Sequence, residues 1–195
     1  MTFLPDFEFG LWNAWIIIVV FLLATFAPLM VGGDKTEARM KEGSEDWSRR
    51  TRIGVTITHV ILMPFTVIYS LFVPLETGTW WLYSGLAIST LGIGVSMSAS
   101  IQFATARLDL PITNGAYAIS RHPLYVASSV VYFGVGLAGT SLVFLACAIL
   151  NIVGYELVVP EEEREMVAEF GGTYEEYMRL TPRWIGLPRT GQHHP

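Results

Sequence analysis

The sequence predicts an all-α membrane protein, a polytopic helical bundle with about five transmembrane helices. Three observations carry that expectation. The 195 residues are 52% hydrophobic and only 15% charged, where soluble domains carry roughly 25% charged residues, and mean hydropathy is +0.46. The apolar residues gather into runs near the roughly 20 residues needed to cross about 30 Å of hydrocarbon. Finally, all 12 Lys and Arg residues fall in alternate connections between those runs. A net charge of −5 argues against nucleic acid as a partner, which would require a concentrated basic face. The single Cys147 offers neither a disulfide framework nor a Cys-based metal site, and no metal is expected.

In order, the spans are read at 11–31, 53–75, 80–103, 124–137 and 141–160. Residues 1–10 contain Asp6 and Glu8 and no cation, so the first run is expected to remain as a span rather than be cleaved. Pro64 and Pro74 are expected to kink or end the second. The third holds Gly85, Gly92, Gly94, Ser96, Ser98 and Ser100, and the fourth region Gly134, Gly136 and Gly139. Small residues such as these let helix backbones approach closely in lipid. Only Ala138, Gly139 and Thr140 separate the last two spans, so these form a tight antiparallel hairpin. The chain reads as one membrane domain, 1–195, with two N-terminal spans in 1–75 and a core in 76–195.

Orientation follows from the cations, because cytoplasmic loops are enriched in them. Lys35, Arg39, Lys41, Arg49, Arg50 and Arg52 occupy the first connection, Arg107 and Arg121 the third, and Arg164, Arg179, Arg183 and Arg189 the C-terminal segment. An N-outside, C-inside topology in the plasma (inner) membrane accounts for all of them.

Polar residues then concentrate at the cytosolic side, in 102–125 and 156–184. Asn114-Gly115 is a turn signal, Pro123 suits the first turn of a helix, and His122 falls at its N-cap. Backbone donors at such a helix start suit the carboxylate of an amino-acid moiety. Pro160 followed by Glu161, Glu162 and Glu163 has the composition of a helix N-terminus. On helical spacing Glu162 shares a face with Tyr155, Val158 and Val159 and suits a cationic ligand. Phe170-Gly171 reads as a helix stop. Tyr174, Tyr177 and Trp184 read as an amphipathic segment lying at the interface.

Taken together, Gly115-Ala-Tyr117, Arg121-His122-Pro123-Leu-Tyr125, Glu162-Glu163, Phe170-Gly171, Tyr174 and Tyr177 resemble the isoprenylcysteine carboxyl methyltransferase family over about 102–183. The resemblance implies a cytosolic pocket for S-adenosylmethionine and an apolar acceptor entering from the membrane. It implies cofactor contacts from Gln102, Asp109, Leu110, Pro111, Ile112, Tyr117, His122, Pro123, Leu124, Tyr125 and Glu162, with Tyr155 and position 158 toward the substrate. Val158 stands where the prenylcysteine enzymes place an Arg against the substrate carboxylate. A buried carboxylate there would lack its cation, so a lipid, a small thiol, an amine or a modified cysteine stays open as acceptor. Methyl transfer from a sulfonium needs chiefly positioning. Where a base is needed, His59 and Glu156 are the ionisable candidates inside spans. The expected partners are the lipid bilayer and an apolar or small-molecule acceptor, with oligomeric state open. The competing classes are a sterol-reductase-like oxidoreductase using NADPH and a non-catalytic membrane scaffold.

Overall fold

A computed structural model describes residues 7–34, 36–37 and 47–187. Lys35, Arg39, Lys41, Arg189 and Asp6, used above for topology, lie outside the described residues. The five apolar runs form α1 (Trp15–Val31), α2 (Arg49–Ser70), α3 (Trp80–Thr105), α5 (Pro123–Ala138) and α6 (Leu142–Phe170). Two short helices, α4 (Ala116–Ile119) and α7 (Gly172–Leu180), lie beside the C-terminal end of α6. The chain is an integral membrane protein whose α2, α3 and α6 are long and apolar enough to cross a bilayer. With 17 and 16 residues, α1 and α5 extend about 24–26 Å at 1.5 Å per residue. Large apolar side chains, among them Leu23, Ile68, Leu91 and Ile149, point outward.

Local chemistry starts several of these helices. Hydroxyls of Ser48, Thr79 and Ser141 accept from the backbone N–H of Thr51, Leu82 and Phe144, caps worth about 1 kcal/mol each. The short hairpin between α5 and α6 is present. Thr140 takes a positive φ of 43° and the Ser141 N–H donates to Gly136 O at 2.7 Å.

The helices alternate in direction, which gathers one set of ends. Gly32 after α1 abuts Ala104 of α3. Thr51 of α2 donates to Glu161 of α6 at 3.4 Å, and Arg121 before α5 pairs with Glu163 of α6. At the opposite end Asn13 and Pro74 form a β-bridge and Glu76 N–H donates to Ala138 O.

The central contact is α3 against α5. A Cβ at Gly134 would stand 2.7 Å from Ser89 N and 2.8 Å from Gly85 O, and one at Gly92 2.8 Å from Val131 Cγ2. Their missing side chains are what allow the two backbones to touch. Buried polar pairs add to the bundle: Thr25 with Ser96 at 2.6 Å and Tyr69 with Ser141 at 3.1 Å.

Some expectations require correction. Gly94 is not a packing device, since nothing lies within 4 Å of where its Cβ would be. The second span ends at Ser70, not residue 75, and Pro74 lies beyond it in the bridge to Asn13. The fifth does not stop at Pro160, which sits inside α6. An interior proline costs a helix hydrogen bond, but α2 holds α6 on both sides of it. Gly54 meets Gly154 and Val158 before the proline, and Thr51 meets Glu161 after it. Glu161, Glu162 and Glu163 therefore do not occupy a helix N-terminus, and the dipole argument for them fails.

Gly134→Val is expected to destabilise the protein by about 1–3 kcal/mol through overpacking, lowering its thermal unfolding midpoint in detergent. Gly94→Val, made as a control, is expected to leave that midpoint nearly unchanged.

Candidate active site

Each of the three consecutive glutamates of α6 finds a separate partner at the gathered helix ends. Glu161 accepts from Thr51 and pairs with Arg164. Glu162 accepts the Tyr125 hydroxyl and lies 3.5 Å from His122 Nδ1. Glu163 is buried among cations: Arg121 at 2.6 Å, Arg183 at 2.6 Å and His122 Nε2 at 3.3 Å. Their side chains spread because successive helix positions advance about 100° around the axis.

Arg121 also holds the C-terminal segment. Its guanidinium donates to Met178 O at 2.9 Å and Thr181 O at 2.7 Å, and its backbone N–H to Pro182 O. The Tyr177 hydroxyl donates to Tyr117 O at 2.7 Å, and the Trp184 indole donates to Glu156 at 2.7 Å. These bonds fold α7 and the following segment over the connection between α3 and α5. Gly171, with φ 55°, is the helix stop expected of it and makes the turn in a conformation that favours glycine. Tyr174 and Tyr177 are buried against protein rather than turned to an interface, which corrects their reading as interfacial anchors. Burial raises both phenols above their ordinary pKa.

His122 is the N-cap residue of α5 and Pro123 lies in its first turn, as expected, and the His122 ring stacks on Tyr125 with centroids 5.7 Å apart. Tyr125 stacks in turn on Tyr155 of α6, at 3.9 Å and 8°. The shared face of Tyr155 and Glu162 is thus real: both meet Tyr125. Burial works against the His122 imidazolium, but the hydrogen bonds and charges of Glu162 and Glu163 outweigh it and raise its pKa.

The other expected residues divide. Gln102 supports the Gly115 turn: its Oε1 accepts from Ala116 N–H at 3.1 Å, and a side chain at Gly115, whose φ is 57°, would collide with it. Asp109 is exposed and paired with Arg107 at 2.6 Å. Leu110 is exposed, and Pro111 and Ile112 are half-buried. His59 meets Tyr155 edge to face, centroids 6.1 Å apart. Glu156 is exposed at the Trp184 contact. Val158 is 1% exposed, and its Cγ2 would be 2.7 Å from a Cβ on Gly54. An arginine at 158 would have to separate α2 from α6, and Arg121 and Arg183, the alternative cations, are already engaged by Glu163.

Sequence reasoning missed Glu163 as the hub and missed Asn151, which donates to Ser128 at 3.0 Å and Ser129 at 3.1 Å beneath Tyr155. An amide within an apolar span was the available signal for Asn151. For Glu163 the only signal was its place beside Glu162 in the motif, because its partners come from positions 121, 122 and 183.

Residues 80–173 match the phospholipid methyltransferase family. This segment therefore carries the pattern of a membrane methyltransferase family, in agreement with the resemblance seen in the sequence. The match runs from the start of α3 into α7 and includes Tyr125, Glu162 and Glu163. The chain is also similar to the cobalt-zinc-cadmium resistance protein CzcN of Cupriavidus metallidurans, 28% identical over 117 residues, covering 55% of this chain and 52% of that one. It thus spans about half the length of that curated relative.

Glu163→Ala is expected to cost about 3–5 kcal/mol by leaving buried Arg121 without its carboxylate, read as a large fall in thermal midpoint that Glu175→Ala does not reproduce. The His122 contribution has a definite sign with pH. Because its folded pKa is raised above the ordinary 6.5, its stabilisation is complete below that value and disappears as pH rises through the raised one. The stability difference between the native protein and His122→Asn should therefore be greatest in mild acid and shrink in alkali, measured by thermal unfolding across pH.

Proposed function

We propose that this chain is an S-adenosylmethionine-dependent methyltransferase that acts on an apolar acceptor dissolved in the membrane, at the cytosolic ends of its helices. The observation that carries the reading is Glu162, a partly exposed carboxylate beside the stacked rings of Tyr125 and Tyr155, within the segment that matches the methyltransferase family. A carboxylate flanked by aromatic faces suits a cation, whether the sulfonium or the ammonium of the cofactor. When bound, the cofactor supplies an electrophilic methyl group on a positively charged sulfur.

The chain's own residues would bind and orient. Glu162 balances the ligand's charge, and Tyr125 fixes the carboxylate by donating to it. His122 competes for the same oxygens while it is protonated. Asn151 and Ser128 hold the floor below Tyr155, with Ser128 donating to its hydroxyl at 3.3 Å. Further contacts follow the resemblance: Gln102 and Tyr117 at the Gly115 turn, Asp109, Leu110, Pro111 and Ile112 in the connection after α3, and Pro123 and Leu124 at the start of α5. Val158, sealed between α2 and α6, leaves no cation at its position for an acceptor carboxylate.

All five apolar helices cross the inner membrane in this reading, with N outside and C inside. The supporting observation is that every described cation lies at or beyond the helix ends gathered around Glu163. The two shorter helices match a bilayer thinned locally around the bundle.

The purified protein in nanodiscs should bind S-adenosylmethionine, and Glu162→Gln should weaken binding at least tenfold, about 1.4 kcal/mol, by calorimetry. Unchanged affinity in that variant would remove Glu162 from the site. Affinity should also rise with pH as His122 loses its proton and releases Glu162, a trend absent from His122→Asn. Thermal stabilisation by S-adenosylmethionine but not NADPH separates this reading from a reductase, since a ligand stabilises the state it binds.

A further inference from the structure

Seven residues of α2, Thr56–Leu62, are wound as π-helix, a rare geometry found frequently at functional sites. The segment carries His59. Thr58 beside it is buried, and its hydroxyl oxygen lies 2.9 Å from Gly54 O and 2.7 Å from His59 Nδ1. A hydroxyl has one proton to give. If it went to Nδ1, a hydroxyl lone pair would face the Gly54 carbonyl at that distance. Both contacts are satisfied only when Thr58 donates to Gly54 and accepts from Nδ1–H. The neutral ring, which also meets the Val55 backbone, then carries its lone pair on Nε2.

Position makes that lone pair useful. The His59 ring meets Tyr155 edge to face, Tyr155 stacks on Tyr125, and Tyr125 donates to Glu162. His59 is thus one aromatic ring away from the site described above, and the next residues, Val60 and Ile61, are exposed on the apolar surface of α2. Glu162 is the charged group acting on it, and the phenols of Tyr155 and Tyr125 are the other titratable groups on that side. Glu156 does not compete for the role, because the Trp184 indole holds its carboxylate.

We infer that His59 is the general base for an acceptor that must lose a proton, and that the acceptor is an apolar thiol entering from the lipid side; this rests on the methyltransferase reading. The thiol sulfur forms a bond to the methyl carbon, the bond from that carbon to the sulfonium sulfur breaks with its electron pair going to sulfur, and the thiol proton passes to Nε2. The imidazolium so formed is stabilised at a distance by the charge of Glu162 and returns its proton to water. A carboxylate acceptor is already ionised at neutral pH and gives a base nothing to do. Among proton-bearing acceptors a thiol, near 8.5, lies closer to an ordinary imidazole, near 6.5, than an alkylammonium near 10.4.

The test uses the full chain in nanodiscs with S-adenosylmethionine and three probes: dodecanethiol, dodecylamine and dodecanoate. The native protein should methylate the thiol in preference to the others. His59→Gln should lower that rate on the order of a hundredfold or more at neutral pH, the usual scale of general-base catalysis. The deficit should narrow as alkali supplies preformed thiolate, while S-adenosylmethionine affinity by calorimetry stays within about twofold. Independently of turnover, nitrogen NMR of labelled histidine should report the Nδ1–H tautomer at His59, and Thr58→Val, which keeps the side-chain shape, should mix the tautomers. Preference for the amine or carboxylate, a parallel loss of cofactor affinity, a deficit that alkali does not narrow, or an Nε2–H tautomer would each overturn the inference. Failure of the native protein to bind S-adenosylmethionine would instead bring down the functional reading, and the inference with it.

Discussion

The Glu163 carboxylate, buried between Arg121 and Arg183 with His122 alongside, is the interaction on which the site depends. Partly desolvated charges are stable only when paired and hydrogen-bonded, so this one carboxylate fixes three cationic groups at once. Arg121 uses its remaining donors on the carbonyls of Met178 and Thr181, which ties the segment after α6 to the connection before α5. His122 is held where its ring stacks on Tyr125, and Tyr125 is held against Glu162. The half-exposed carboxylate suited to a ligand is thus oriented by a neighbour that has none of its exposure.

Beneath the charged end, the bundle places these groups through close backbone contact rather than large side chains. Gly85, Gly92 and Gly134 bring α3 and α5 together, and Gly54 and Gly154 bring α2 against α6. The second contact has two consequences at different levels. It carries α6 unbroken past Pro160, so that Glu161–Glu163 remain helical and diverge to separate partners. It also seals Val158 in an interhelical seam against Gly54, just before the π-helical segment that carries His59.

The resemblance, over about 102–183, and the family match, over 80–173, overlap from the end of α3 into α7. Within it the residues cluster unevenly. His122, Tyr125, Tyr155 and Glu162 meet directly, and Tyr117 is tied to Tyr177 at their edge. Asp109, by contrast, is at the surface with Arg107, a pairing made by two neighbours in sequence and independent of the rest of the site. Gln102 lies against the Gly115 turn, where its Oε1 accepts from Ala116 N–H.

Much of the architecture was legible in the sequence because its causes are local. Apolar run length dictates the number of helices, three intervening residues force the α5–α6 hairpin, and Pro123 and Gly171 mark a helix start and stop by their own backbone preferences. Helical spacing alone put Tyr155 and Glu162 on one face. What only the tertiary structure decided was non-local: whether Pro160 would end a helix, which partners Glu161, Glu162 and Glu163 each find, and where Tyr174 and Tyr177 turn. In each case neighbours more than 30 positions away outweigh the local preference, and sequence periodicity carries no record of such partners.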